Sequence, residues 1–201
     1  SISEEVSETT TEKAIEAITG QKVGLENTNG KSSAELTLTF DGKTIIKDKL
    51  SDQNVVQCVG GGVIVKAEVP EKKMSFGCML SGNDLFKAGR PITVTQNSFT
   101  AKGSKTNTYS NFMFGRNAET VEIFSLYEGT VTVSELSAEK LKITFEGKGL
   151  KSKGDKAFFD MNMASAYPEK TAKALRPISG TFICERPAYS FVTVKKEEVF
   201  Q

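Results

Sequence analysis

The chain has 201 residues, with 26 Lys and Arg against 25 Asp and Glu, and it contains no histidine. The near-neutral balance lacks the basic excess that phosphate neutralisation requires, so we expect no nucleic-acid partner. Without imidazole there is no Ser-His-Asp or Cys-His arrangement and no His-ligated zinc. The sequence therefore predicts no catalytic residues, no metal site and no cofactor.

The N-terminal segment differs from the rest of the chain. Residues 1–10 are rich in Ser and Glu and poor in apolar residues, so we expect a flexible tether there and a single β domain over 11–201. Thr9 to Glu12 form a capping box that predicts a helix of two to three turns, ending at Gly20.

From Ala34 onwards the apolar period changes to two, which is typical of strands with one buried face. The first hairpin runs from Ala34 to Phe40, turns at Asp41-Gly42 and returns through Ile46. A second hairpin joins Val63 to Val69 with Met74 to Leu80, and Ile92 with Val94 resumes extended structure. Gly60-Gly61-Gly62 precedes a strand pattern rather than a helix, so it predicts a turn and not a phosphate loop.

The second half carries the densest strand patterns. We predict strands over Thr108 to Phe114, Val121 to Tyr127, Thr130 to Leu136, Leu141 to Phe145, Ile178 to Cys184 and Tyr189 to Val194. Breaks are expected at 115–118 and at Glu128-Gly129, and an exposed lysine-rich loop over 148–156. Pro168 and Pro177 frame a short helix near 168–176.

These ten to twelve strands predict an all-β fold, a mostly antiparallel sandwich or jelly roll, with a barrel as the alternative. Along one strand the alternation is sharp: Leu141, Ile143 and Phe145 should be buried while the residues between them face solvent. Cys58, Cys78 and Cys184 lie in apolar stretches, and we expect each to be a small buried residue.

One aromatic cluster is a candidate ligand-binding site. Tyr109, Phe112 and Phe114 lie close to Arg116, and we take Tyr109, Phe112 and Arg116 as the site residues. Aromatic residues on strands usually pack in the core, so the alternative is that these residues belong to the core and not to a ligand site. The absence of tryptophan argues against a sugar site built on an indole platform.

Two segments resemble a known class of protein. Residues 3–20, SEEVSETTTEKAIEAITG, resemble the segment that follows the lipid-modified cysteine of bacterial cell-envelope lipoproteins. Residues 177–182, PISGTF, are similar to the closing strand of uncharacterised β-sandwich lipoproteins of that kind. The resemblance implies a periplasmic or cell-surface domain on a flexible tether, touching the membrane only through a lipid anchor that is not in this sequence.

The sequence thus favours a non-enzymatic extracytoplasmic β-sandwich that binds an unknown ligand or envelope protein. One alternative is a carboxylate-dependent glycan hydrolase or lyase, which needs two converging carboxyl groups. The other is a lipocalin-like carrier of an apolar ligand.

Overall fold

The structure is a computed structural model that describes residues 32–50, 55–69, 74–82, 85–87, 89–97, 112–117, 122–153 and 172–200. The described residues include eleven strands, one short helix and a single helical turn at 172–174. The strands and the short helix are β1 Ser33–Phe40, β2 Lys43–Leu50, β3 Val55–Val59, β4 Gly62–Val69, β5 Met74–Ser81, β6 Ile92–Asn97, β7 Phe112–Asn117, β8 Glu122–Leu136, β9 Lys140–Lys153, β10 Arg176–Glu185, β11 Ala188–Val192 and α1 Lys196–Val199.

The strands follow one hydrogen-bonded path, β11-β3-β4-β5-β7-β8-β9-β10-β1-β2, and β6 pairs with β8 beside it. All the described pairings are antiparallel except that of β11 with β3. The path folds over into two packed layers without closing into a barrel in the described part of the chain. The all-β, sandwich-like fold predicted from the sequence is confirmed.

Aromatic side chains show how the layers meet. The ring of Phe76 on β5 stacks at 4.8 Å from Phe182 on β10 and at 6.2 Å from Phe145 on β9. Phe40 on β1 lies 5.4 Å from Phe124 on β8. Because β5 is separated from β9 and β10 by other strands along the path, these contacts are made face to face across the core.

The β8–β9 ribbon belongs to both layers. The first part of β8 pairs with β7 and the later part with β6, while β9 pairs along nearly its whole length. Gly129 and Gly147 are partners at the middle of the ribbon, with φ of 150° and 156°. A Cβ on Gly147 would lie 2.1 Å from the Glu128 carbonyl oxygen, so both the backbone conformation and the close approach require glycine.

Several sequence predictions are confirmed. The Asp41-Gly42 turn joins β1 to β2, and Gly60 and Gly61 form the turn before β4. Leu141, Ile143 and Phe145 are at most 2% exposed, while the three residues that alternate with them are half-buried or exposed. Cys58, Cys78 and Cys184 are buried and free.

Three expected interruptions are wrong. Glu128-Gly129 does not separate two strands but lies within β8, where a bulge after Leu126 and the paired glycines bend the strand without ending it. The strand β7 continues through Asn117, so residues 115–117 are not a break. Residues 148–153 are not a loop, because their backbone groups pair with β8.

The helix predictions meet the structure only in part. Residues 172–174 are helical, Leu175 follows them without regular structure and Arg176 already begins β10. The expected tether at 1–10, the helix after Thr9 and residues 168–171 lie outside the described residues. The helix α1 has no counterpart among the sequence predictions.

Candidate functional site

The structure describes the aromatic cluster predicted from the sequence only in part. Tyr109 lies outside the described residues, while Phe112 and Arg116 lie on β7. In the backbone register Phe112 pairs with Met79 and Arg116 with Ser75. The assignment of a ligand to this cluster stays a prediction.

A different surface is defined by the register of five strands. Residues that pair from β6 through β8, β9 and β10 to β1 form a first row: Thr93, Thr132, Thr144, Thr181 and Thr37. The pairings two residues further along form a second row: Thr95, Thr130, Glu146, Ser179 and Thr39. All ten are half-buried or exposed. We call these nine hydroxyl residues and one carboxylate the hydroxyl face.

The alternation of each strand places these residues on the outside. Between the two rows the same strands send Val131, Phe145 and Leu38 into the core, each at most 2% exposed. The period of two then commits the neighbouring threonines to the opposite face. Threonine also suits a strand, because its branched side chain packs well on a pleated surface.

The hydroxyl face is not among the sequence predictions. Its signal is the repeated Thr-x-Thr pattern, present at residues 37–39, 93–95 and 130–132. The pattern identifies hydroxyl residues on one face of each strand, but not that the strands are neighbours, because Thr37 and its partner Thr181 are far apart in sequence.

An open groove runs over the hydroxyl face. Its volume is about 430 Å³, and it is lined by eight of the ten residues of the face together with Phe145 and Gly180. That volume lies within the range of about 300–1,000 Å³ that is usual for small-ligand sites. Glu146 is the one charged residue among those described as lining it.

Charged residues of opposite sign flank the two rows along β8 and β9. In the backbone register Glu135 is the partner of Lys142 beyond the first row, and Glu128 is the partner of Lys148 beyond the second. Lys140, near the first of these pairs, lies 3.9 Å from the Glu135 carboxylate and 3.8 Å from that of Glu185. Opposite charges are therefore neighbours on both sides of the rows, while Glu146 is the charged residue among the described lining of the groove.

The cysteines are poor nucleophiles. Burial raises the pKa of the Cys58 thiol to about 12, with nearby Arg90 acting in the opposite direction, and burial raises the pKa of Cys78 to about 12 as well. Burial likewise raises the pKa of Cys184 to about 11, and its sulfur lies 3.4 Å from the Ser32 hydroxyl oxygen. Since the thiolate is the reactive form, these three side chains are structural.

The side chain of Arg90 forms a hydrogen bond with the C-terminal helix α1. Its Nη2 donates a hydrogen bond to the carbonyl oxygen of Val199, the last residue of α1. Phe200 packs edge-on to Tyr189 at 4.8 Å and to Phe191 at 5.4 Å. Burial lowers the pKa of the Arg90 guanidinium, and its Nε is buried without a hydrogen-bond partner. This arrangement holds α1 against the core, in which Val199 is fully buried.

Two kinds of feature are absent from the residues that the structure describes. Within them, no cluster of three or more Cys, Asp or Glu residues is placed to hold a metal ion. No helix in the same ranges has the length and apolar character to cross a membrane.

Comparison of the chain with protein-family models, curated proteins and solved structures finds no match. The residues of the chain itself therefore carry the functional proposal.

Proposed function

We propose that this protein is a non-enzymatic binding domain of the bacterial cell envelope, and that its ligand or partner is held on the hydroxyl face. The observation that carries the proposal is the composition of that face. A quarter of the residues in the chain are charged, yet nine of ten positions in two adjoining rows bear a neutral hydroxyl. Solvated sheet faces ordinarily mix charged side chains with threonine, because charge favours solubility.

The groove supports the same proposal. Small-ligand sites are concave and contain a few polar groups that fix the orientation of the ligand, and this groove is lined mainly by such polar groups. Each threonine of the groove presents both a methyl group and a hydroxyl, and the hydroxyl both donates and accepts hydrogen bonds. The location in the cell envelope rests on the lipoprotein resemblance of residues 3–20 and 177–182.

The experiment compares one charge placed on the face with the same charge placed elsewhere. Ser179→Lys adds an ammonium group at an exposed position in the groove. Met79→Lys adds one at an exposed position on β5, in the other layer. The readout is co-sedimentation of each purified protein with the envelope fraction of the bacterium that produces it, after thermal melting has verified that the variants are folded.

We expect wild type and Met79→Lys to sediment alike, and Ser179→Lys to be retained at least tenfold less. Equal retention of all three proteins would remove the hydroxyl face as the binding surface. Two further readouts address the alternative functions. Release of reducing ends from envelope polysaccharide would favour the hydrolase, and a lipid that co-purifies in native mass spectra would favour the apolar carrier.

A further inference from the structure

We infer that the occupant of the groove is a segment of a neutral glycan, an inference that rests on the proposed function. A glycan chain exposes hydroxyl groups at close intervals, together with apolar C–H patches on the faces of its rings. Both features have counterparts in the hydroxyls and methyl groups of the threonine rows.

Charge complementarity favours a neutral ligand over a charged one. A phosphorylated or acidic polymer needs Lys or Arg side chains, preferably in bidentate geometry, and no described lining residue is of either type. The carboxylate of Glu146 repels an anionic chain but accepts hydrogen bonds from two ligand hydroxyls, since both its oxygens are acceptors. A basic peptide would find only this single carboxylate in the groove.

The spacing of the rows suits a single chain that lies across the strands. Neighbouring strands are about 4.8 Å apart and alternate residues of one strand are about 6.7 Å apart, so a ligand between the rows meets one residue from each row at every strand. Each of these residues carries a hydroxyl except Glu146 on β9. The groove crosses β8, β9, β10 and β1, a span of about 15 Å. Because strands in a sheet twist by about 20–25° relative to each other, the rows fit a flexible chain better than a flat crystalline surface.

The binding is expected to be weak. The groove lacks an aromatic platform among its described lining residues except for Phe145, which is 2% exposed and belongs to the core. Threonine methyl groups offer less contact area than an indole or phenol ring. We expect a Kd on the order of 1 mM, because a few hydrogen bonds must offset the motion that the ligand loses on binding.

The test is an amide NMR titration of the whole chain. The probes are three neutral hexasaccharides, cellohexaose, laminarihexaose and maltohexaose, with hexagalacturonate and a lysine-rich peptide as charged comparators. We expect at least one neutral probe to shift the amides of the hydroxyl face, and the charged probes to bind at least tenfold more weakly.

Matched variants separate hydroxyl chemistry from shape. Thr144→Val and Thr181→Val replace a hydroxyl by a methyl group of similar size, and each should weaken the neutral glycan about three- to tenfold. Ser33→Ala removes a hydroxyl from an exposed position outside the groove on β1 and should leave the titration unchanged. Equal affinity of the two valine variants and wild type would overturn the inference.

The outcomes distinguish this inference from the proposed function. Should Ser179→Lys abolish envelope retention while every neutral hexasaccharide fails to shift the face, the face binds another ligand and the glycan inference is wrong. Tighter binding of hexagalacturonate or of the peptide has the same consequence. If envelope retention is also indifferent to Ser179→Lys, the proposed function fails together with the inference.

Discussion

Phe145 and Thr144 are adjacent residues with opposite environments, and their replacement by alanine should separate the two faces of β9. The Phe145 side chain is 2% exposed, packs with the Phe76 ring at 6.2 Å and fills the space beside Gly180. Thr144 lies half-buried on the hydroxyl face. Only the first replacement opens a cavity in the core.

The expected magnitudes differ severalfold. Phe145→Ala should lower the free energy of unfolding by about 3–5 kcal/mol. The hydrophobic free energy of burying the ring is lost, and the cavity that the ring leaves adds a further cost. A fully collapsed cavity is not expected, because the glycine opposite has no side chain with which to fill it. Thr144→Ala removes a hydroxyl and a methyl from a partly solvated position and should cost under about 1 kcal/mol.

The assay is urea denaturation followed by far-UV circular dichroism. With a slope of about 2–3 kcal/mol/M for a domain of this size, Phe145→Ala should move the midpoint down by about 1–2 M and Thr144→Ala by less than about 0.5 M. Phe145→Leu, which keeps most of the apolar volume, should fall between them and guards against a variant that does not fold. Equal midpoint shifts for the two alanine variants would refute the assignment of the faces.

Three further outcomes are expected. Gly147→Ala should lower the free energy of unfolding by about 3 kcal/mol or more, because the new Cβ would collide with backbone atoms. Gly42→Ala, at a residue with positive φ but open space around it, should lower it by about 1–2 kcal/mol. Thermal melting measures both. The free energy of unfolding should be constant between about pH 6 and 8, because no histidine is present. It should fall from about pH 9 to 12, because the unfolded chain releases thiol protons in this range while the buried thiols of Cys58 and Cys78, each with a pKa of about 12, retain theirs. A constant denaturation midpoint over that alkaline range would contradict this. Arg90→Met should raise amide exchange in α1 by about tenfold through loss of the bond to Val199, an effect that Arg186→Met, at an exposed position, should not reproduce.

The sequence predicts those parts of the fold in which local chemistry determines the structure. Asp41-Gly42 identifies a hairpin because both residues tolerate positive φ, which they adopt here at 51° and 77°. The same logic fails at Gly129, where a close approach to β9 rather than a turn requires glycine. It fails again at 148–153, where three lysines and Gly149 lie on a paired strand.

The hydroxyl face could not be predicted because it depends on long-range register. Each Thr-x-Thr pattern specifies which residues share a face of one strand, and nothing in the sequence specifies that β6, β8, β9, β10 and β1 lie side by side. The aromatic cluster at Tyr109, Phe112 and Arg116 attracted the prediction instead because its members are close in sequence. A sequence directly shows which residues are neighbours along the chain, but not which residues strand pairing brings together.

The pairing of early strands with late ones has a consequence for how the chain is made. Ser33 pairs with Glu185 and Val55 with Ala188, so β1 and β3 find these partners only after residues 176–192 have been synthesised. Until then both strands present unpaired backbone groups that can template aggregation. Such non-local topology also folds slowly, since distant segments must meet before their contacts stabilise anything. A chain interrupted before residue 176 should therefore accumulate as insoluble material rather than as a smaller folded domain.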